Sequence, residues 1–271
     1  MCGLLLPEYQ RTQRVKKIIA VADYIFKQSF RNKILNILII FVVLSMGFSL
    51  IISMLAQESE LKMVIDFGLF AIEIFSFLTI ALSLSVQMFE ETELKTVSMI
   101  IVKPIKRFEY IIGKYIGIIV TLFWNTLFML VTMMIVIKLK GADPWALRMM
   151  LAVLYIFISM CVLTSTAMLL SVVTTSVPSC IISLFFVYIL GHLTVNLKHL
   201  TEQMQNAAAK IGIDIIYYIL PNMELFNLKD KVYTTEGLFL PQYFVIMLGY
   251  AIIYIAITLT VSSAIFDKKE F

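Results

Sequence analysis

The sequence holds 18 acidic residues and two histidines, and the informative ones are those placed within or beside apolar runs. Asp66 and Glu73 lie in one such run, seven residues apart, hence two turns apart on one face if the run is helical. A carboxylate inside an apolar span is costly and faces a bundle interior or a wet cavity, where it contacts substrate or takes part in gating. Glu73 is the candidate for that role, while Asp66 sits near enough to the end of the run for interfacial solvation to account for it. His192, His199 and Glu202 are seven and ten residues apart, so a helix continuing past Asn196 would put them on one face within reach of a cation. A polar helix end at the interface explains the same three residues without metal, and no metal site is assigned.

Other chemistry is excluded by missing patterns. A phosphate-binding G-x-x-x-x-G-K-[ST] loop is absent, since Gly113-Lys114 is followed by Tyr115 and Phe108 stands where the first glycine belongs. The chain is therefore not expected to hydrolyse ATP. Neither H-E-x-x-H nor G-x-S-x-G occurs, and the scattered Cys2, Cys161 and Cys180 show no C-x-x-C spacing. No catalytic residue and no cofactor are expected in this chain.

The elements that must position these groups follow from composition. Of 271 residues 61% are apolar and 15% charged, and the mean hydropathy is +0.94, which indicates an all-α integral membrane protein. Apolar runs at 34–56, 64–89, 111–137, 146–172, 178–195 and 242–266 predict six transmembrane helices, continuous and rich in Leu, Ile, Phe and Met rather than alternating as in a barrel. The predicted organisation is a cytoplasmic N-terminus over 1–33, one transmembrane domain over 34–266 and a tail over 267–271. The apolar run starting at Ile34 is too late, and wrongly flanked, for a cleaved signal peptide, so the N-terminus is expected to be retained. Seven Lys and Arg in 1–33, four in 90–110 and two in the tail put both termini on the cytoplasmic side.

Three segments outside the spans carry further signals. Residues 16–33 place Ile18, Val21, Ala22, Ile25 and Phe26 at helical spacing against Lys17, Asp23, Lys27 and Arg31, predicting an amphipathic helix on the inner membrane surface. Residues 90–110 read as a short interfacial helix ending before Pro104. Residues 196–241, with apolar and aromatic character up to Pro221, are expected to fold against the outer ends of the spans or to re-enter them. Gly113-x-x-x-Gly117 would permit close helix packing.

The stretch MFEETELKTVSMIIVKPIKRFEYIIGKYIGIIV at 88–120 resembles the permease subunits of bacterial ATP-binding-cassette exporters of the type-2 (ABC-2) family. It has the acidic cluster Glu90, Glu91 and Glu93, a Thr/Leu/Val-rich helix, the turn Lys103-Pro104-Ile105-Lys106-Arg107, the pair Phe108-Glu109 and the step Gly113-Lys114. It departs from the family pattern in one place, where Lys95-Thr96 stands for the usual Gly-Thr. Tyr218-Ile219-Leu220-Pro221-Asn222 followed by Phe226 is similar to the outer segment of the same family.

The resemblance implies a transmembrane subunit, with ATP and Mg bound by a partner cytosolic ABC ATPase. Glu90, Glu91, Glu93, Leu94, Lys95, Val97 and Ser98 would contact that ATPase through a coupling helix. Lys103, Pro104, Lys106, Arg107 and Glu109 would form the coupling turn and inner-surface anchor, with headgroup anchoring the leading role of Lys106 and Arg107. Gly113, Lys114 and Gly117 form a packing step, Asp66 and Glu73 flank the pathway, and Tyr218, Pro221 and Phe226 belong to an outer lid. The other implied partners are a second permease protomer (a homodimer), membrane lipid and a periplasmic accessory protein, with no nucleic acid; the implied site is the bacterial or archaeal inner membrane. Two competing functions are a proton-coupled carrier relaying through Asp66 and Glu73, which would show inverted repeats that are not evident here, and a mechanotransmitting anchor that moves a periplasmic partner.

Overall fold

A computed structural model describes residues 5–31, 60–93, 107–139, 146–194, 219–227 and 241–268, with isolated positions between 40 and 51 and at 210, 213 and 217. Among the described residues all regular structure is helical: α1 (Leu5–Arg31), α2 (Glu60–Glu93), α3 (Arg107–Leu139), α4 (Ala146–Val173), α5 (Val177–His192), a 3₁₀ turn (Glu224–Phe226) and α6 (Pro241–Lys268).

Four of these helices, α2, α3, α4 and α6, carry apolar stretches of 24 to 33 residues, long enough for a hydrocarbon core about 30 Å thick. The fifth is shorter. α5 has 16 residues and reaches only about 24 Å. It starts after the turn Thr174–Ser176, where Ser176 is extended and Pro178 occupies the first turn, the place where a missing N–H costs least. The expected span at 34–56 lies outside the described residues except for isolated helical positions.

α2, α3 and α4 enclose the main core, built from side chains such as Leu69, Ile72, Ile80, Leu84, Ile118, Leu122, Met160 and Leu163. α6 leans on α4 through a second cluster containing Tyr155, Val162, Met247 and Ala251 and exposes most of its apolar surface. The hydroxyls of Thr164, Ser165, Thr166 and Ser171 are buried along α4, and each is satisfied by a carbonyl three or four residues back in the same helix. α2 and α3 run in opposite directions, with Gly68 of one against Met133 of the other, whereas α1 and α3 run the same way, with Val21 against Gly113 and Ile25 against Gly117. Asn125 Nδ2 donates to Thr79 Oγ1 at 2.7 Å and Tyr115 Oη donates to the Cys161 carbonyl at 3.2 Å, which pins α3 against α2 and α4. The bundle has an end near Asp66, where α2 and α6 begin, and an opposite end near Arg107, where α3 and α5 begin.

α1 is longer than the sequence predicts and begins at Leu5, ahead of the amphipathic stretch. Its face of Val21, Ala22 and Ile25 is buried, with Ile18 and Phe26 half-buried at the edges. That face meets α3 at Gly113 and Gly117. A Cβ on Gly113 would come within 2.7 Å of Val21 Cβ, and one on Gly117 within 2.8 Å of the Ala22 carbonyl oxygen. The G-x-x-x-G step is the seam along which α1 lies on α3.

Candidate functional site

Glu73 lies midway along the apolar stretch of α2 and is buried, 6% exposed. Burial of a carboxyl requires hydrogen-bond partners, and α5 supplies them from one helical turn. Tyr188 Oη donates to Glu73 Oε1 at 2.9 Å, and His192 Nε2 lies 3.0 Å from the same oxygen. The other ring nitrogen, Nδ1, bonds the Tyr188 carbonyl at 2.9 Å. Phe77, one turn along α2, packs at a tilt on Tyr188 with ring centroids 4.8 Å apart, so an aromatic contact flanks the polar trio. Ser159 and Met160 of α4, with Met223, Phe226 and Asn227, close a pocket around Glu73 and His192 that has room for about one water molecule.

The segment 219–227 covers the end of α5, which is too short to reach past the level of Glu73. Met223 N–H donates to the Gly191 carbonyl at 3.0 Å, and a Cβ on Gly191 would stand 2.9 Å from the Pro221 carbonyl oxygen, so glycine is needed for this approach. Asn222 holds the turn: its Oδ1 accepts from Thr194 Oγ1 at 2.9 Å and from the Leu225 N–H at 3.3 Å, capping the 3₁₀ turn. α6 clasps the other side, with Tyr250 Oη accepting from Asn222 N–H at 2.9 Å and Tyr254 Oη donating to the Ile219 carbonyl at 3.0 Å. A segment without α-helix thus lies at the depth of α4 Ser159, whose hydroxyl approaches the Met223 sulfur at 3.3 Å, and the N–H groups of Asn222, Met223 and Leu225 to Asn227 are satisfied by protein acceptors.

The Arg107 end is a second polar assembly. The Arg107 guanidinium donates to the carbonyls of Phe266 and Asp267 at 3.0 and 2.9 Å, capping the C-terminus of α6 and tying it to the start of α3. Tyr110 stacks on Phe266 at 5.9 Å beside it. Lys114 is fully buried, with Nζ 3.4 Å from Tyr110 Oη and 5.6 Å from that ring's centroid, and Glu109 is 5% exposed. Gln87 Nε2 donates to Ser29 Oγ at 2.9 Å, linking α2 to α1 where both side chains are buried.

The residues singled out in the sequence fall as follows. Glu73 belongs to the trio with Tyr188 and His192, itself buried while its two partners are half-buried. Asp66 shares its helix face by spacing but is exposed. Gly113 and Gly117 form the α1 seam, Lys114 and Glu109 are buried at the Arg107 end, and Arg107 grips α6. Pro221 and Phe226 are buried in the segment over α5. Glu90, Glu91 and Glu93 occupy the last turn of α2, their side chains outside the description. Leu94, Lys95, Val97, Ser98, Lys103, Pro104, Lys106, Tyr218, His199 and Glu202 lie outside the described residues. Sequence reasoning placed His192 with His199 and Glu202 and did not pair it with Glu73. Tyr188 was missed as well, although its i,i+4 spacing with His192 is the signal of a shared helix face.

The chain matches the model of a family described as "ABC-2 family transporter protein" over residues 72–271. Among curated proteins nothing matches it. The match takes in α3 to α6, most of α2 and the acidic and basic stretch between α2 and α3. Together with four helices able to cross a membrane, it makes the chain a multi-pass membrane protein and the permease component of an ABC transporter. This chain belongs to the ABC-2 family of transporter proteins.

Proposed function

We propose that the chain is the permease of an ABC exporter that forms the substrate pathway as a homodimer in the bacterial or archaeal inner membrane, driven by ATP hydrolysis in a separate ATPase. Both termini are cytoplasmic, the 34–56 run supplies a sixth span, and the Arg107 end faces the cytosol while segment 219–227 faces out. The chain itself carries out no hydrolysis and holds no cofactor. The family match over 72–271, which contains the coupling segment 90–110, is the observation that carries this reading.

The fold supports a mechanical route from ATPase to pathway. α2 runs unbroken from Glu60 to Glu93, so the acidic cluster sits on a rigid extension of the helix that bears Glu73. A push on residues 94–106 acts at once on the end of α2 and the start of α3. α3 passes it to α1 through the glycine seam and to α6 through Arg107. ATP-driven closure of the ATPases would tilt these helices together and change the cavity between protomers, with 219–227 as the lid on the far side.

The test is co-purification. The detergent-solubilised wild-type chain is expected to retain its ATPase, and a variant with Glu90→Ala, Glu91→Ala and Glu93→Ala, still monodisperse, is expected to lose it. A wild-type chain that retains no ATPase refutes the proposal.

A further inference from the structure

His192 stands with both ring nitrogens against acceptors. Nδ1 lies 2.9 Å from the Tyr188 carbonyl oxygen, which cannot donate, so the ring carries a hydrogen there. Nε2 lies 3.0 Å from Glu73 Oε1, which already accepts the Tyr188 hydroxyl at 2.9 Å. A neutral ring with its hydrogen on Nδ1 and an ionised Glu73 would set the Nε2 lone pair against a carboxylate oxygen inside the bundle, where such a mismatch is costly. One more proton removes the conflict. It sits either on Nε2, making an imidazolium against a carboxylate, or on Glu73, making an acid that donates to Nε2; in both placements the pair holds one proton beyond a neutral histidine and a free carboxylate.

We propose that Glu73 and His192 form a binding site for one exchangeable proton, and that this proton fastens the end of α5, with segment 219–227 seated on it, to α2. The inference rests on the geometry of the trio and stands whether or not the exporter reading does. The end of α5 and Thr194 just beyond it carry both attachments. His192 and Tyr188 reach Glu73, while the Gly191 carbonyl and Thr194 hold Met223 and Asn222. Exchange has a route through the water-sized pocket, which is lined by Glu73 and His192 and also by Asn227, an exposed residue.

Among the described residues, these ionisable groups lie on the elements around the pair. Asp66 of α2 is exposed, two turns away, and Lys138 of α3 is exposed at the same end of the bundle. α5 contributes the Tyr188 hydroxyl, the covering segment the half-buried Glu224, and α6 the hydroxyls of Tyr243, Tyr250 and Tyr254. α4 presents Ala152, Ile156, Ser159 and Met160 to the pocket, none of them ionisable.

The chain has two histidines, so His199→Gln leaves a single imidazole to observe. The full-length protein with that background, ¹⁵N-labelled at histidine and held in lipid nanodiscs, is titrated from pH 6 to 9 by solid-state NMR. Infrared spectra report the carboxylic-acid carbonyl, and deuterium exchange of 219–227 is followed in parallel. The expected result at pH 6 is an imidazolium spectrum, or a neutral ring together with an acid carbonyl band that vanishes in Glu73→Gln. Above it, a single step of proton loss is expected. Because opening releases one proton, exchange of 219–227, corrected for its intrinsic rate, should rise by up to tenfold per pH unit until that step and then level off. In Glu73→Gln the amide nitrogen can take the place of Oε1, donating one N–H to Nε2 and the other to Tyr188 Oη, with no titrating proton, so its ring stays neutral and its exchange stays flat. A wild-type ring that is neutral at pH 6 with no acid band overturns the proposal whatever the variant does, as does exchange at 219–227 that ignores the titration.

Discussion

Substitution of Gly117 tests the seam between α1 and α3. An alanine Cβ there would stand 2.8 Å from both the Ala22 carbonyl oxygen and Ile25 Cβ, and 2.9 Å from Ile25 Cγ2. Comfortable separations are about 3.5 to 4.0 Å, so α1 must move outward by roughly 1 Å. One of the opposing atoms is backbone, which rotamer change cannot relieve, and the displacement withdraws Val21 and Ile25 from their buried contacts. Overpacking of this kind costs about 1–3 kcal/mol. At about 2 kcal/mol the undocked population of α1 rises roughly thirtyfold. Deuterium exchange across residues 15–31 in detergent or nanodiscs measures this directly, and Gly117→Leu should exceed Gly117→Ala. Gly249→Ala is the control, because no atom of the described residues lies within 4 Å of its Cβ position. Unchanged protection of 15–31 in Gly117→Leu would refute the seam.

Two further outcomes follow from named contacts. Arg107→Ala removes both hydrogen bonds to the last carbonyls of α6, which one guanidinium nitrogen, Nη1, makes; at about 1 kcal/mol for a partly exposed cap, amide exchange near Phe266 should rise roughly fivefold, with Arg107→Lys intermediate because its ammonium can also donate to carbonyls but is the more strongly hydrated group. Gly191→Ala drives a methyl against the Pro221 carbonyl and Met223, so limited proteolysis should cut within 219–227 faster than in wild type while α2 to α4 stay protected.

Much of the bundle was legible because hydrophobic runs are a local property. The expected 64–89, 111–137, 146–172 and 242–266 fall inside α2, α3, α4 and α6; α2, α3 and α6 run on into polar residues such as Glu60, Arg107 and Lys268 that helix geometry tolerates and hydropathy does not register. The expected 178–195 overruns α5, since Leu193 to Val195 are apolar enough to continue a run although the helix closes at His192. Glu73 was legible as an isolated carboxyl in an apolar stretch. Its partners were not, because pairing of α2 with α5 joins residues 115 and 119 apart in sequence, and no local pattern encodes which turn faces which. The glycine step announced close packing without naming α1. Lys114 read as the edge of a span, whereas it lies wholly inside the protein beside Tyr110, a placement set by how α3 is rotated in the bundle.

The central claim, that a paired permease is moved by ATP, is tested most directly by double electron–electron resonance. A spin label at the exposed turn residue Thr175 between α4 and α5, in a chain with Cys2, Cys161 and Cys180 replaced, is measured in nanodiscs with the partner ATPase. A defined distance between the two protomers' labels that shifts when ATP is trapped with vanadate is the predicted result. A monomer without dipolar coupling, or a distance indifferent to nucleotide, would contradict it.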